Sequence, residues 1–501
     1  MGKSQDGHST VSTGVAGLDD ILAGGLPAGR LYLLQGDPGT GKTTIALRFL
    51  LAGVKAGERV IYVTLSESRK EIEGMAASHG WSLDGITLYG LDDAGASAQP
   101  EAQQTLFHPA EVELNETMRG VLEVVERTLP TRVVFDSLSE MRLLARDPLR
   151  YRRLILSLKQ LLLERDTTVL LLDDRATDSE DRQLQSLVHG VIQLEQAAPE
   201  YGAERRRLRV VKLRGIRYRS GFHDFTIVRG GLVAFPRLIA AEHHRAFEAD
   251  WLRSGVDALD RLLGGGLDRG ASTLLMGPAG VGKSSLVTRY VRAAADRGER
   301  AAVFVFDEGT ATFLARARGL SMDLSAHVEG GRVHLQQVDP TEMSPGEFAH
   351  AVRQQVEVGG ASVVAIDSLN GYMAAMHDER AVVAQFHELL SYLRQVGVST
   401  LIVVGQHGLT RPMDAPIDVS YLADTVLVLR YFEFRGAVRQ AISVVKKRAG
   451  PHERTIRELG FTSAGVTVGE PLQEFVGVLS GVPALVLGDA PGAKDPDEPR
   501  R

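Results

Sequence analysis

The sequence predicts an α/β protein of two tandem domains, each a mostly parallel sheet flanked by helices. Three observations predict it. First, the chain of 501 residues repeats itself at long range: Gly14-Val15-Ala16-Gly17-Leu18-Asp19 returns as Gly255-Val256-Asp257-Ala258-Leu259-Asp260, and Gly24-Gly25-Leu26 as Gly265-Gly266-Leu267, each displaced by 241 positions (255 − 14, 265 − 24). So long a period marks a duplicated domain, not a solenoid. Second, each half alternates continuous Val/Ile/Leu runs with helical stretches. Runs without polar alternation belong to strands buried on both faces, hence to a parallel sheet covered by helices. Third, each half carries one glycine-rich loop placed after a strand-like run.

The elements follow in order. In the first half, strands are expected at 31–34, 59–65, 132–135 and 168–172, with helices over 111–127 and 150–164. The charged stretch 242–250 reads as a connector, so the domains are expected at 1–241 and 242–487. The tail 488–501, rich in Pro, Asp and Gly, reads as disordered. Charged residues make up 24% and hydrophobic ones 44%, an ordinary globular balance, and the net charge of −6 directs the chain neither to nucleic acid nor to an anionic membrane. There is no cysteine, which excludes disulfides and thiolate metal sites and agrees with a cytoplasmic location. The polar residues 1–15 do not form a signal peptide, and no apolar stretch is long enough to span a bilayer.

The loops are Gly36-Asp37-Pro38-Gly39-Thr40-Gly41-Lys42-Thr43 and Gly277-Pro278-Ala279-Gly280-Val281-Gly282-Lys283-Ser284, followed by Thr44 and Ser285. Both fit G-x-x-x-x-G-K-[ST], the P-loop spacing. Its glycines turn backbone N–H groups toward phosphate oxygens, its Lys reaches the terminal phosphates, and its hydroxyl ligates Mg²⁺. ATP and Mg²⁺ are therefore the expected ligands. Strands ending at Asp136 and Asp367 supply a carboxylate that can face Mg²⁺ opposite Thr43 and Ser284. The strands that follow the loop helices end in Ser66-Glu67 and Asp307-Glu308. Carboxylates there suit a base that orients the attacking oxygen, and they equally suit acids in a helix's first turn. Late in each half, Lys212-Leu213-Arg214 and Lys446-Lys447-Arg448 close apolar strands. They fit either a solvated strand end or cations that neutralise transition-state charge.

In combination these residues resemble the circadian clock protein KaiC family. The resemblance rests on the twin P-loops, the Thr13-Gly14-Val15 opening with its Leu18-Asp19, Val112-Glu113-Leu114-Asn115-Glu116-Thr117, the segment from Asp339-Pro340-Thr341 to Glu347-Phe348, and both Lys-x-Arg strands. It runs from about Ser12 to about Leu485. It implies two tandem RecA-like P-loop NTPase domains and a homohexameric double ring with ATP between neighbouring subunits. Lys212, Arg214, Lys446 and Arg448 would reach across that interface, and signalling or clock proteins would be the partners. It also implies slow hydrolysis in the first domain, and in the second a serine/threonine autokinase acting on Ser420. The sequence departs from the pattern at Tyr421, which occupies the second acceptor position, at Ser66, where the first carboxylate of a pair is missing, and at Asp307, one methylene shorter. Two other readings share the loops: a RecA-type DNA-dependent ATPase using Arg205-Arg206-Arg207 and 214–219, and a non-catalytic scaffold gated by nucleotide.

Overall fold

The computed structural model describes residues 2–3, 9–90, 109–145, 147–175, 178–199, 201–374, 379–406, 421–479 and 483–485. The chain divides into two compact units, 1–237 and 238–501. The change of unit falls at Arg237/Leu238 because Leu238 and Ala240 are buried in the second unit's core, where Ala240 N donates to Glu388 Oε1 at 2.8 Å. The tail 488–501 lies outside the described residues.

Each unit holds one nine-stranded sheet, and the two sheets share a strand order. In the first the order is Ile86–Tyr89, Val60–Thr64, Arg132–Asp136, Thr168–Asp173, Leu31–Gln35, Gly190–Ala197, Arg205–Leu213, Phe222–Val228, Gly231–Phe235. In the second it is Val333–Gln337, Ala301–Val305, Val363–Asp367, Ser399–Gln406, Ser272–Pro278, Thr425–Phe434, Ala437–Lys447, Ile456–Thr462, Gly465–Pro471. The first six strands of each list pair in parallel and the last three extend the sheet antiparallel. The expected α/β architecture is thus present twice.

Burial explains the apolar runs. Leu31 and Leu33 point into one core while Tyr32 and Leu34 point into the other, so the run 31–34 has no polar-facing position, and the polar Gln35 comes only at the strand's end. Met118, Val121 and Val125, spaced three and four apart on helix Pro109–Thr128, cover the first of these cores. Truncating Leu33 to Ala would cost ~2–5 kcal/mol, the usual range for a fully enclosed leucine.

The repeated opening has a physical task. Asp19 Oδ1 accepts from Thr13 N at 2.8 Å and Thr13 Oγ1 at 2.7 Å; Asp260 Oδ1 accepts from Ser254 N and Ser254 Oγ, each at 2.8 Å. An arginine of the following loop helix holds the same turn, Arg48 Nε on Gly14 O and Arg289 Nε on Ser254 O. The motif therefore pins each unit's entry onto the helix that carries its P-loop lysine.

Candidate functional site

Both P-loops lie where the central strand stops. Leu31–Gln35 and Ser272–Pro278 deliver the loops, and helices Lys42–Lys55 and Lys283–Asp296 leave them. Gly41 and Gly282 cap those helices at φ 95° and 101°, in the left-handed region where a side chain would be strained. At Gly282 the space is closed as well, since a Cβ would stand 2.1 Å from the Phe461 ring. Neither helix has a side-chain cap, so its first N–H groups face the loop without a competing protein acceptor. Thr44 and Ser285 are buried one position further on.

The lysines turn inward. Lys42 Nζ donates to Gly36 O at 2.7 Å and Asp37 O at 3.1 Å, and Lys283 Nζ donates to Gly277 O at 2.8 Å and Pro278 O at 2.7 Å. Burial pushes Lys283 down to about 8, with Asp367 opposing the shift. Lys42 has a further partner that the motif did not foretell. Asp174, just beyond strand Thr168–Asp173, stands 2.8 Å from its Nζ.

Asp136 and Asp367 end strands Arg132–Asp136 and Val363–Asp367, each one strand removed from its P-loop strand, and face the loop hydroxyls. Thr43 Oγ1 donates to Asp136 Oδ2 at 3.1 Å, Tyr62 OH donates to the same oxygen at 2.5 Å, and Ser284 hydrogen-bonds Asp367. Burial raises both carboxyls above the usual range. The Tyr62 and Thr43 hydroxyls and Lys42 oppose this at Asp136, and Ser284 and Arg316 oppose it at Asp367. Asp367 Oδ2 is buried with no hydrogen-bond partner. A buried carboxylate with one oxygen lacking a partner, beside a hydroxyl, is an all-oxygen donor pair that fits Mg²⁺. Among the described residues no three His, Asp or Glu side chains are grouped so that they could hold a metal ion by themselves, so such a cation would complete its shell from phosphate and water.

The strand-tip carboxylates reach the same ends of the sheets. Glu67 precedes the Ser68 N-cap of helix Arg69–Ser78, and the first-turn acid of its capping box is Glu71. The helix-cap alternative therefore belongs to Glu71. Glu67 Oε2 is buried without a partner, and burial first, then Asp136 and Glu71, raises its carboxyl. In the second unit Ser368 Oγ donates to Asp307 Oδ2 at 2.5 Å, while Glu308 pairs with Arg316. A cavity of about 530 Å³ gathers Lys283, Ser284, Asp307, Glu308, Arg316 and Asp367. Arg316 escaped the sequence reading because only the fold of helix Thr310–Gly319 returns it to the strand tip.

The basic strand ends lie elsewhere. Lys212 donates to Gln185 O and Arg214 Nη2 to Ser186 O at 3.4 Å. Lys446 Nζ donates to Ala423 O at 2.8 Å, and Arg448 bonds Tyr421 O at 3.1 Å and Asp424 Oδ1 at 3.4 Å. Lys446 is paired with Val426, itself beside Leu274; Lys212 is paired with Val191, itself beside Leu33. Lys212 is thus level with the middle of its P-loop strand and Lys446 with the third residue of its own, while Arg214 and Arg448 lie level with the amino ends, at Leu31 and Ser272. At ~3.3 Å per residue, three to five residues of strand put ~10–17 Å between these cations and their own loop. Ser420 lies outside the described residues, and Tyr421 beside it is exposed. Of the arginines weighed for nucleic acid, Arg206 pairs with Glu204, and Arg207 with Glu195 at 2.7 Å.

Comparison with known proteins adds three findings. The model of a family described as "ATPase: KaiC" matches residues 11–238 and 252–473. The chain is 28% identical over 499 residues to the circadian clock oscillator protein KaiC of Picosynechococcus sp., an alignment spanning 96% of this chain and 94% of that protein. Proteins of the same description from Acaryochloris marina (28% over 495 residues, 96% and 92%) and Nostoc sp. (26% over 498 residues, 97% and 94%) are similar to the same extent.

Proposed function

The chain belongs to the KaiC ATPase family, and from that premise we propose that each unit binds Mg-ATP, the first as a slow hydrolase and the second as a serine/threonine autokinase, within a hexameric ring. The observation that carries this reading is the same constellation in both units: an inward lysine, a loop hydroxyl and a buried strand-end carboxylate around an uncapped helix start. Mg²⁺, held by Thr43 with Asp136 and by Ser284 with Asp367, would neutralise phosphate charge. Lys42 and Lys283 would exchange their carbonyl partners for phosphate oxygens, and the loop N–H groups would fix the chain of phosphates.

In the first unit Glu67 orients a water. Its oxygen bonds to the γ-phosphorus as the bond to the β,γ-bridging oxygen breaks, ADP leaves, and the carboxylate takes the proton. In the second unit Asp307 does the same for a protein hydroxyl, for which Ser420 is the acceptor that the family resemblance implies, and Glu308 stands where it would orient a competing water. The sheet registers support assembly. Lys212, Arg214, Lys446 and Arg448 sit about three to five residues back along the sheet from their own loop, so their charge is useful to a neighbouring copy. A cation delivered across an interface contributes ~10³–10⁵ in rate. The output would be signalling or circadian-type regulation through phosphorylation or nucleotide state. Among the described residues no helix is long and apolar enough to cross a membrane.

The test is particle mass and turnover measured together. A hexamer with Mg-ATP, whose turnover per chain collapses on dilution to monomer, is expected. Arg448→Ala mixed with an ATP-binding-dead chain should recover activity in mixed rings. A monomer turning over at full speed would end the shared-site reading.

A further inference from the structure

The two units place the same carboxylate in opposite company. Subtracting the repeat period maps Glu308 onto Glu67 (308 − 241) and Arg316 onto Met75 (316 − 241). In the first unit Met75 packs against the apolar core and leaves Glu67 Oε2 buried without a partner. In the second unit a guanidinium holds Glu308. Its arm is fixed from three sides: Nη2 on Glu308 Oε1, Nη1 3.4 Å from Ser285 Oγ on the P-loop helix, and Cζ 5.0 Å from the centroid of the fully buried Phe313 ring. The pair is about three-quarters buried, 26% exposed for Arg316 and 24% for Glu308, and both side chains line the cavity beside Lys283 and Asp367.

We propose that Arg316 is a positioning residue that clamps Glu308 and restrains water activation in the second site, so that ATP bound there survives for transfer to a protein hydroxyl. The inference rests on the reading of Glu308 as the oxygen-orienting base. For hydrolysis, a water must bond to the γ-phosphorus, the bond to the β,γ-bridging oxygen must break to release ADP, and the water proton must pass to Glu308. A carboxylate held by a braced guanidinium loses, on taking up a proton at either oxygen, the charge that makes that bond strong. A partly buried bond of this kind weighs ~10-fold or more on a rate. Glu67 has no such bond at Oε2 to give up. An occluded water and a persistent nucleotide are what a transfer site needs, since hydrolysis competes with the acceptor for the same phosphate.

The experiment uses the full-length chain carrying Glu67→Gln, which silences the first site's base and retains its P-loop. Phosphate release and protein-bound label from γ-labelled ATP are followed with Arg316 intact, Arg316→Lys and Arg316→Met. Arg316→Met should raise kcat for phosphate release ~10-fold with KM for Mg-ATP within about twofold, and should lower the label retained per ATP consumed. Arg316→Lys, which restores a cation without the planar fork, should lie nearer the parent. If Arg316→Met fails to melt cooperatively, Arg316→Gln removes the charge and keeps much of the stem; the same rise is expected. A kcat that falls or stays level in the folded variants, while Glu308→Gln still abolishes turnover, overturns the clamp. Second-site turnover that survives Glu308→Gln overturns the assignment of the base instead.

Discussion

The two nucleotide sites are built on one scaffold and differ in which charged tip is held. In the first, the phosphate-binding lysine is engaged, Asp174 lying 2.8 Å from Lys42 Nζ, and the strand-tip carboxylate Glu67 keeps a bare oxygen. In the second, Lys283 bonds backbone carbonyls and the carboxylate Glu308 is engaged, by Arg316. The strand order, the glycine conformations and the hydroxyl–aspartate pairs are common to both. On the proposed function the shared scaffold would place the phosphate, and single side chains at strand and helix ends would set what happens to it. A duplicated domain can therefore divide two outcomes of one phosphoryl chemistry without changing its fold.

The largest expected effect is loss of one product without the other. Lys283→Ala should abolish protein-bound phosphate, a fall beyond ~10²-fold by labelled ATP and autoradiography, and should weaken the ring. Lys42→Ala should instead impair assembly and steady hydrolysis. Undiminished label on Lys283→Ala would erase the distinction between the sites. Next is Glu67→Gln, expected to cut phosphate release by ~10²-fold, in the range typical of a lost general base.

A smaller effect concerns pH and stability. Burial raises the Glu67 carboxyl, so the folded chain holds that proton to higher pH than the unfolded chain does. The group's contribution is then fully present below the ordinary carboxylate range and is lost as pH rises through the raised value. Glu67→Gln should accordingly melt slightly above the parent at neutral pH, by on the order of 1 °C, with the gap closing toward pH 4. First-site hydrolysis should also fail on its acid side at a higher pH than an ordinary glutamate would give. The opposite shift in melting would show that the carboxylate is stabilised, not stranded. Least in size, Asp174→Asn should tighten nucleotide at the first site by a few-fold in a fluorescent-nucleotide titration, because phosphate would no longer displace a carboxylate from Lys42. The pair is half in solvent, Asp174 being 41% exposed, which keeps the effect small.

What was legible in the sequence was local. Glycine spacing announces the loops because backbone approach to phosphate demands it, and unbroken Val/Ile/Leu runs announce strands because both faces of the sheet are covered. Asp136 and Asp367 were readable as strand ends for the same reason. Asp174 was not, since nothing in its own stretch says that strand Thr168–Asp173 runs beside Leu31–Gln35 and ends over Lys42. Arg316 was equally silent, separated from Glu308 by two turns of helix. The sequence also left open whether Glu67 was a helix acid, and the Ser68–Glu71 capping box decides that. The position of the Lys-x-Arg clusters, set back along the sheet from the loop end, follows from pairing register, which composition does not carry.

The most direct measurement follows released phosphate and protein-bound phosphate, from one labelled ATP pool, in the parent chain, Glu67→Gln and Lys283→Ala. Unequal sites predict that Glu67→Gln loses most free phosphate and keeps its protein label, whereas Lys283→Ala loses the label and retains most of the release. Both products declining in step in both variants would contradict the division between the two units.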